Sequence, residues 1–142
     1  MGGGDGTPYR DAATAVVTLA SLGADSTGVV AVLRAINSVL PTSTDYIGRR
    51  ILANGSSGFG QDVMEIASAL AGGQNGDGGW GYSRFYQSDV LETALAVRAL
   101  KRAGSTDTTA LRLGVNYLIS HQNVDHSWAF TAGDTSRVVY TA

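Results

Sequence analysis

Apolar residues recur along most of this chain at helical spacing, with glycine-rich breaks between the runs. The clearest stripe is Val29, Val32, Leu33, Ile36 and Leu40, the i, i+3, i+4, i+7 pattern of an amphipathic helix, which Pro41 ends. Before it, an Ala- and Val-rich run from about Tyr9 to Leu22 predicts a first helix. That helix stops at Gly23, a residue that tolerates the left-handed conformation at a helix C-terminus. A shorter third helix starts near Asp45, carries Ile47, Ile51 and Leu52, and is expected to end at Asn54-Gly55.

The fourth and fifth helices are sequence cousins. Asp62-Val63-Met64-Glu65-Ile66-Ala67 matches Asp89-Val90-Leu91-Glu92-Thr93-Ala94 position by position. In both, Asp followed three residues later by Glu predicts an acidic capping box. The Asp oxygen accepts from a free amide of the first turn, and the Glu reaches back to the N–H of the cap. A sixth helix, about Thr108 to His121, lines up Leu111, Val115, Leu118 and Ile119, and a seventh begins near Ser136. The β-branched pairs Val29-Val30 and Val138-Val139 fall inside helical patterns, so no strand is predicted. The expected fold class is all-α.

One loop returns. Gln74-Asn75-Gly76-Asp77-Gly78-Gly79-Trp80 has the same frame as Gln122-Asn123-Val124-Asp125-His126-Ser127-Trp128, with Gln and Trp six residues apart in each. A recurring Gln-Asn-x-Asp-x-x-Trp after an apolar helical stretch predicts a repeat architecture. Thr14-Ala15, Ile66-Ala67, Thr93-Ala94 and Thr141-Ala142 mark the period, at intervals of 52, 27 and 48 residues. The short middle interval suggests that one outer helix is missing there. Asn54-Gly55-Ser56-Ser57-Gly58-Phe59-Gly60 reads as a degenerate copy of the loop, with Phe59 in place of Trp.

These residues resemble a known family. Gln-Asn-x-Asp-Gly-x-Trp loops, each followed by an Asp-headed helix with Thr-Ala, look like the repeats of terpenoid cyclases and protein prenyltransferases. The nearest likeness is to bacterial and archaeal proteins with squalene-cyclase-like repeats. The resemblance covers nearly the whole chain and is strongest over 72–142. It implies an α/α toroid, a ring of antiparallel helical hairpins, of which about six or seven helices make a partial ring. It also implies that the loop Gln binds a neighbouring outer helix end while the Trp ring stacks on it. That role falls on Gln74 with Trp80 and on Gln122 with Trp128, Asp77 and Asp125 completing the motif. An amide can satisfy free backbone groups at a helix terminus, and an indole offers a large apolar face and one N–H. The second copy must make its turn without the two glycines. Both tryptophans are expected to be largely buried.

The chemistry of that family is not found in these residues. No Asp-x-Asp-Asp acid motif exists in the 142 residues. Asp134 stands close to Arg137, which favours an ionised carboxylate and a poor acid. With no cysteine, the zinc site of the prenyltransferases cannot be assembled, and an Asp-rich magnesium helix is absent. His121, His126 and Asp125 are close in sequence, but a helix-end histidine and a turn histidine explain them without a metal. Asn75-Gly76-Asp77-Gly78 lacks the downstream Glu of a calcium loop. No catalytic residue, metal or cofactor is therefore expected. Tyr82, Arg84 and Tyr86, close to a glycine turn, are candidate ligand-facing residues, with packing onto helix ends as the plainer reading.

Composition narrows the partners. Charged residues are 15% and the formal net charge is −2, which offers no footprint for nucleic acid. No apolar run approaches the roughly 18 residues of a membrane span. Nineteen glycines against two prolines, clustered between apolar segments, read as helix stops. The start, Met1-Gly2-Gly3-Gly4-Asp5-Gly6, has neither the basic nor the apolar region of a signal peptide, although the resemblance suggests an exported or surface protein. The expectation is one domain over 1–142, part of a larger protein, acting as a non-catalytic binding or structural module. The alternative is a fragment of a terpene-cyclase-like or polysaccharide-acting enzyme whose catalytic residues lie elsewhere. A helix starting at Ser136 with no cap after it further suggests self-association, or completion of the ring by the parent chain.

Overall fold

Small side chains set how closely these helices approach. The computed structural model describes residues 7–24, 26–38, 42–57 and 63–129, arranged as α1 (Thr7–Ser21), α2 (Ser26–Ser38), α3 (Thr44–Ser57), α4 (Val63–Ala71), α5 (Val90–Arg102) and α6 (Thr108–Ser120). Among the described residues there is no sheet, only two isolated bridges inside loops, so the fold is all-α. α3 lies between α1 and α5, and these three form a continuous row. α2 rests on α1 and α3, α4 on α3 and α5, and α6 on α5. Gly114 lets α6 meet α5 closely, since a Cβ there would sit 2.6 Å from Val97 Cγ2, whereas at Gly48 of α3 it would make only ordinary contact with that of Ala99, at 3.6 Å.

Two apolar clusters fill the space between the helices. Ile51, Leu70, Trp80 and Leu100 anchor one around Ala67, Ala96 and Ala99, and Val16, Leu33 and Ile36 anchor the other with Tyr9 and Val29. Each large aliphatic residue buried this way contributes about 1.5–3 kcal/mol. The predicted stripe of α2 is the face that Val29, Leu33 and Ile36 bury; Leu40 and Pro41 lie outside the described residues.

Three expectations need correction. α3 does not stop at Asn54-Gly55 but runs to Ser57. Asn54 is helical because its amide group has better partners than a turn would give: it donates to the Arg50 carbonyl at 2.8 Å and pairs reciprocally with Asn37 at 2.9 and 3.0 Å. Asn54–Ser57 is therefore helix rather than a degenerate loop, and Gly58–Gly60 lie outside the described residues. Nor does the 27-residue interval signal a missing helix. Ile66 stands on α4 and Thr93 on α5, successive helices in contact with each other and each with α3, so a single loop spans the interval. Finally, only half of the capping box forms. Asp89 accepts from Glu92 N at 2.8 Å, but its own N–H donates to the Trp80 carbonyl at 3.0 Å, leaving nothing for Glu92 to cap. Asp62 and the helix expected near Ser136 lie outside the described residues.

Charge is buried at the start of α3. Asp45 is 4% exposed, and its two oxygens accept from Arg10 Nε and Arg49 Nε, each at 2.7 Å. The hydrogen bond to Asp45 raises the Arg10 pKa further above its ordinary value. Beside it, Tyr9 stacks on Tyr46 with ring centroids 4.5 Å apart and donates to the Tyr46 carbonyl at 3.2 Å. Burial pushes the Tyr9 phenol up to about 12, so it stays a neutral donor.

Candidate functional site

The connection from α4 to α5 carries a dense set of side-chain hydrogen bonds. Gln74 Nε2 donates to the Gly78 carbonyl at 2.8 Å and to the Ala110 carbonyl, in the first turn of α6, at 2.9 Å. One amide thus closes its own turn and holds a helix 36 residues away. Asp77 Oδ1 accepts from Gly79 N at 2.9 Å and from Ser88 Oγ at 2.8 Å, and Asn75 Nδ2 donates to Ser88 Oγ at 2.8 Å. Gly78 takes φ +88°, where glycine carries no steric penalty, and any Cβ there would press on the Leu113 carbonyl at 2.8 Å.

Trp80 is the buried centre of the loop, 1% exposed. Its indole Nε1 donates at 2.7 Å to the Leu70 carbonyl at the end of α4, which also accepts from Gly73 N at 3.0 Å. Its backbone N–H donates to Thr93 Oγ1 at 2.9 Å on α5. The ring lies against α6 where Gly114 leaves room, since a Cβ there would come within 2.9 Å of Trp80 Cζ3. Tyr117 closes the site, its hydroxyl donating to the Ser88 carbonyl at 3.0 Å; burial pushes this phenol up to about 12.

The second loop makes the same bonds 48 positions on. Gln122 Nε2 donates to the His126 carbonyl at 2.9 Å, Trp128 Nε1 to the Leu118 carbonyl at 2.8 Å, and Asn123 N to the Ser127 carbonyl at 2.8 Å. His126 replaces Gly78 by adopting φ +67°, which is how the turn forms without glycine. Asp125 accepts from the amide and hydroxyl of Ser127, and these hydrogen bonds hold its carboxyl below the usual range. The expected burial of Trp128 is not met, however: it is 44% exposed. Trp80 is enclosed by α5 and α6 together, and no described element takes those two places around Trp128. Gln122 likewise bonds only within its own loop among the described residues.

The remaining candidates separate. Tyr82 and Tyr86 meet edge to face with centroids 5.6 Å apart, and the Tyr82 carbonyl accepts from Thr44 N at 2.8 Å. Arg84 lies 5.3 Å over the exposed Phe85 ring and lines a cleft of about 550 Å³ beside Trp80, Ile47 and Thr44. His121 sits at the end of α6, Nδ1 2.8 Å from the Tyr117 carbonyl and its ring stacked 4.0 Å from that of Tyr117. No group of three His, Asp or Glu among the described residues is arranged to hold a metal ion. Sequence reasoning missed Ser88, Thr93 and Tyr117 as partners of the loop. The first two left a signal: Ser136 and Thr141 follow Trp128 at the offsets at which Ser88 and Thr93 follow Trp80.

Comparison with known proteins points to one family. Over 92 aligned residues the chain is 38% identical to a squalene–hopene cyclase of Bradyrhizobium diazoefficiens, covering 55% of this chain. Over 92 residues it is 35% identical to a drimenyl diphosphate synthase of Streptomyces showdoensis, covering 58% of this chain. The chain is terpenoid-cyclase-like. The alignments span 14% and 17% of those two relatives, so the chain corresponds to a small part of each. No family model matches it.

Proposed function

We propose that this chain is an arc of an α/α toroid that serves as a non-catalytic binding or structural module. Gln74, Asp77 and Trp80, and after them Gln122, Asp125 and Trp128, are its clamps. The observation that carries this reading is the reach of one loop. Through Gln74, Trp80 and Asp89 it bonds the end of α4, the start of α6 and the cap of α5 at once. Polar groups engaged this way fix helix ends and are not free for proton transfer. The second reading, a fragment of a cyclase-like enzyme, is favoured by the names of the two relatives. Incubating the purified chain with squalene and with isoprenoid diphosphates, and analysing the products by mass spectrometry, separates the two. The module reading expects unchanged substrates; hopene or drimenyl diphosphate above blank would establish the enzyme.

Association is part of the same proposal. Val115, Ile119, Val124 and Trp128 expose apolar surface on and after α6, at 42, 63, 100 and 44%. In a repeat array such a face is covered by the next unit, from the same parent chain or from a second copy. Light scattering over a concentration series is expected to show a monomer–dimer equilibrium, which Ile119→Glu shifts to monomer. A monomer at every concentration would remove self-association and leave the parent chain as the cover.

A further inference from the structure

All five asparagines of this chain lie among the described residues, and two of them are followed by glycine, at Asn54-Gly55 and Asn75-Gly76. In an asparagine, Cγ can be attacked by the backbone nitrogen of the next residue. The N–Cγ bond forms, the Cγ–Nδ2 bond breaks, and a succinimide ring is left as ammonia departs. Water then opens the ring at either carbonyl, to aspartate or to isoaspartate. Glycine favours the closure, because no side chain shields its nitrogen and its backbone turns freely. The attacking nitrogen must also be free of a hydrogen bond and within reach of solvent.

The structure separates the two pairs. Asn54 is 1% exposed, and Gly55 follows it inside α3, where a helical N–H is already bonded to the carbonyl one turn back. The Asn54 amide is itself engaged, with Asn37 and with the Arg50 carbonyl. Gly76 is the reverse case. It is exposed, nothing lies within 4 Å of where its Cβ would be, and its N–H donates to no described acceptor. Asn75 Nδ2 is held, but Oδ1 accepts from no described group, so the carbonyl stays open to attack. Asp77-Gly78 cannot close the same ring without breaking the bond from Gly78 N to the Asn75 carbonyl at 3.0 Å. In the second loop the matching Asn123 is exposed, but Val124 follows it and sets a β-branched side chain beside the nitrogen.

Conversion would undo the buried loop from within. Asn75 Nδ2 donates to the Tyr86 carbonyl at 2.9 Å and to Ser88 Oγ at 2.8 Å, tying the start of the loop to its return towards α5. A carboxylate at position 75 has no proton for either. The Ser88 hydroxyl already donates to Asp77 Oδ1 at 2.8 Å, so the new charge gains no donor there and stands beside a second carboxylate. Isoaspartate also lengthens the main chain by a carbon, inside a turn closed by Asn75 N on the Gly79 carbonyl at 2.9 Å.

We propose that Asn75 is a site of spontaneous deamidation, through a succinimide formed with Gly76, and that the product irreversibly loosens the first loop while the second stays intact. The inference goes beyond the module reading and holds for an enzyme fragment equally. Peptide mapping by mass spectrometry of the intact chain, incubated folded in mildly alkaline buffer, tests it. Aspartate and isoaspartate are expected at position 75 at least tenfold faster than at Asn54 or Asn123. The rate should climb with pH, since hydroxide takes the Gly76 amide proton. In urea, Asn54 should react as fast as Asn75, because only the fold protects it. Gly76→Ala, whose methyl group meets open space, should keep the melting temperature and slow conversion at least tenfold. Asn75→Asp, the product made directly, should melt lower than Asn123→Asp. An unmodified Asn75 in the folded chain, equal rates at Asn54 and Asn75 there, or undiminished conversion in Gly76→Ala would overturn the site. Asn75→Asp melting like the unsubstituted chain would overturn its effect on the loop.

Discussion

Trp80→Ala is expected to destabilise this protein by about 3–5 kcal/mol, the range for truncating a buried large aromatic. Trp80 joins three helices: its ring packs in the cluster of Ile51, Leu70 and Leu100, its indole N–H caps α4, and its backbone N–H holds Thr93. Truncation opens a cavity that cannot collapse easily, because the surrounding residues lie on helices already in contact, and it removes one of the two donors to the Leu70 carbonyl. Trp128→Ala makes the matched control. It removes the same indole bond from the second loop, but the ring is half exposed, so the loss should stay near 1 kcal/mol. Urea unfolding of both variants gives the comparison. Equal losses would mean that Trp128 is covered in solution as Trp80 is, and that the two loops are equivalent there.

Gly81→Ala should cost about 2–3 kcal/mol, as much as overpacking a core, although it adds one methyl group. A Cβ at Gly81 would lie 2.5 Å from the Tyr86 carbonyl oxygen and press equally on that of Gln87. These are backbone atoms of the return strand of the loop, and moving them disturbs the bridge between Trp80 and Asp89 on which the start of α5 depends. Gly76→Ala is the contrast within the same loop. Nothing lies within 4 Å of its would-be Cβ, so stability should change by no more than about 0.5 kcal/mol. Thermal melts followed by circular dichroism decide the matter. A Gly81→Ala variant as stable as Gly76→Ala would show that the loop yields, and that its close approach to residues 86–87 is not what holds α5.

Helix existence was legible because each helix carries its own periodic signal. The stripe of α2 and the Asp cap of α5 act within one or two turns, and the structure realises them as Val29, Leu33 and Ile36 buried and as Asp89 accepting from Glu92 N. The end of α3 was misread because Asn54-Gly55 is a local stop signal, whereas the partners that keep Asn54 helical, Asn37 above all, come from another helix.

For the candidate site, the recurring Gln, Asp and Trp positions were visible in the sequence, since a turn closed by its own side chains is encoded within about seven residues. The amino-acid sequence by itself determined an all-α fold, the six described helices among the seven it predicts, and the recurrence of one loop frame. Only the tertiary structure decided that the two loops differ in consequence. Burial of Trp80 depends on Gly114 and Thr93 arriving from α6 and α5, and the reach of Gln74 depends on the Ala110 carbonyl, 36 residues away. Short-range preferences select helices and turns. Which side chains become buried is set by contacts that exist only once the helices pack.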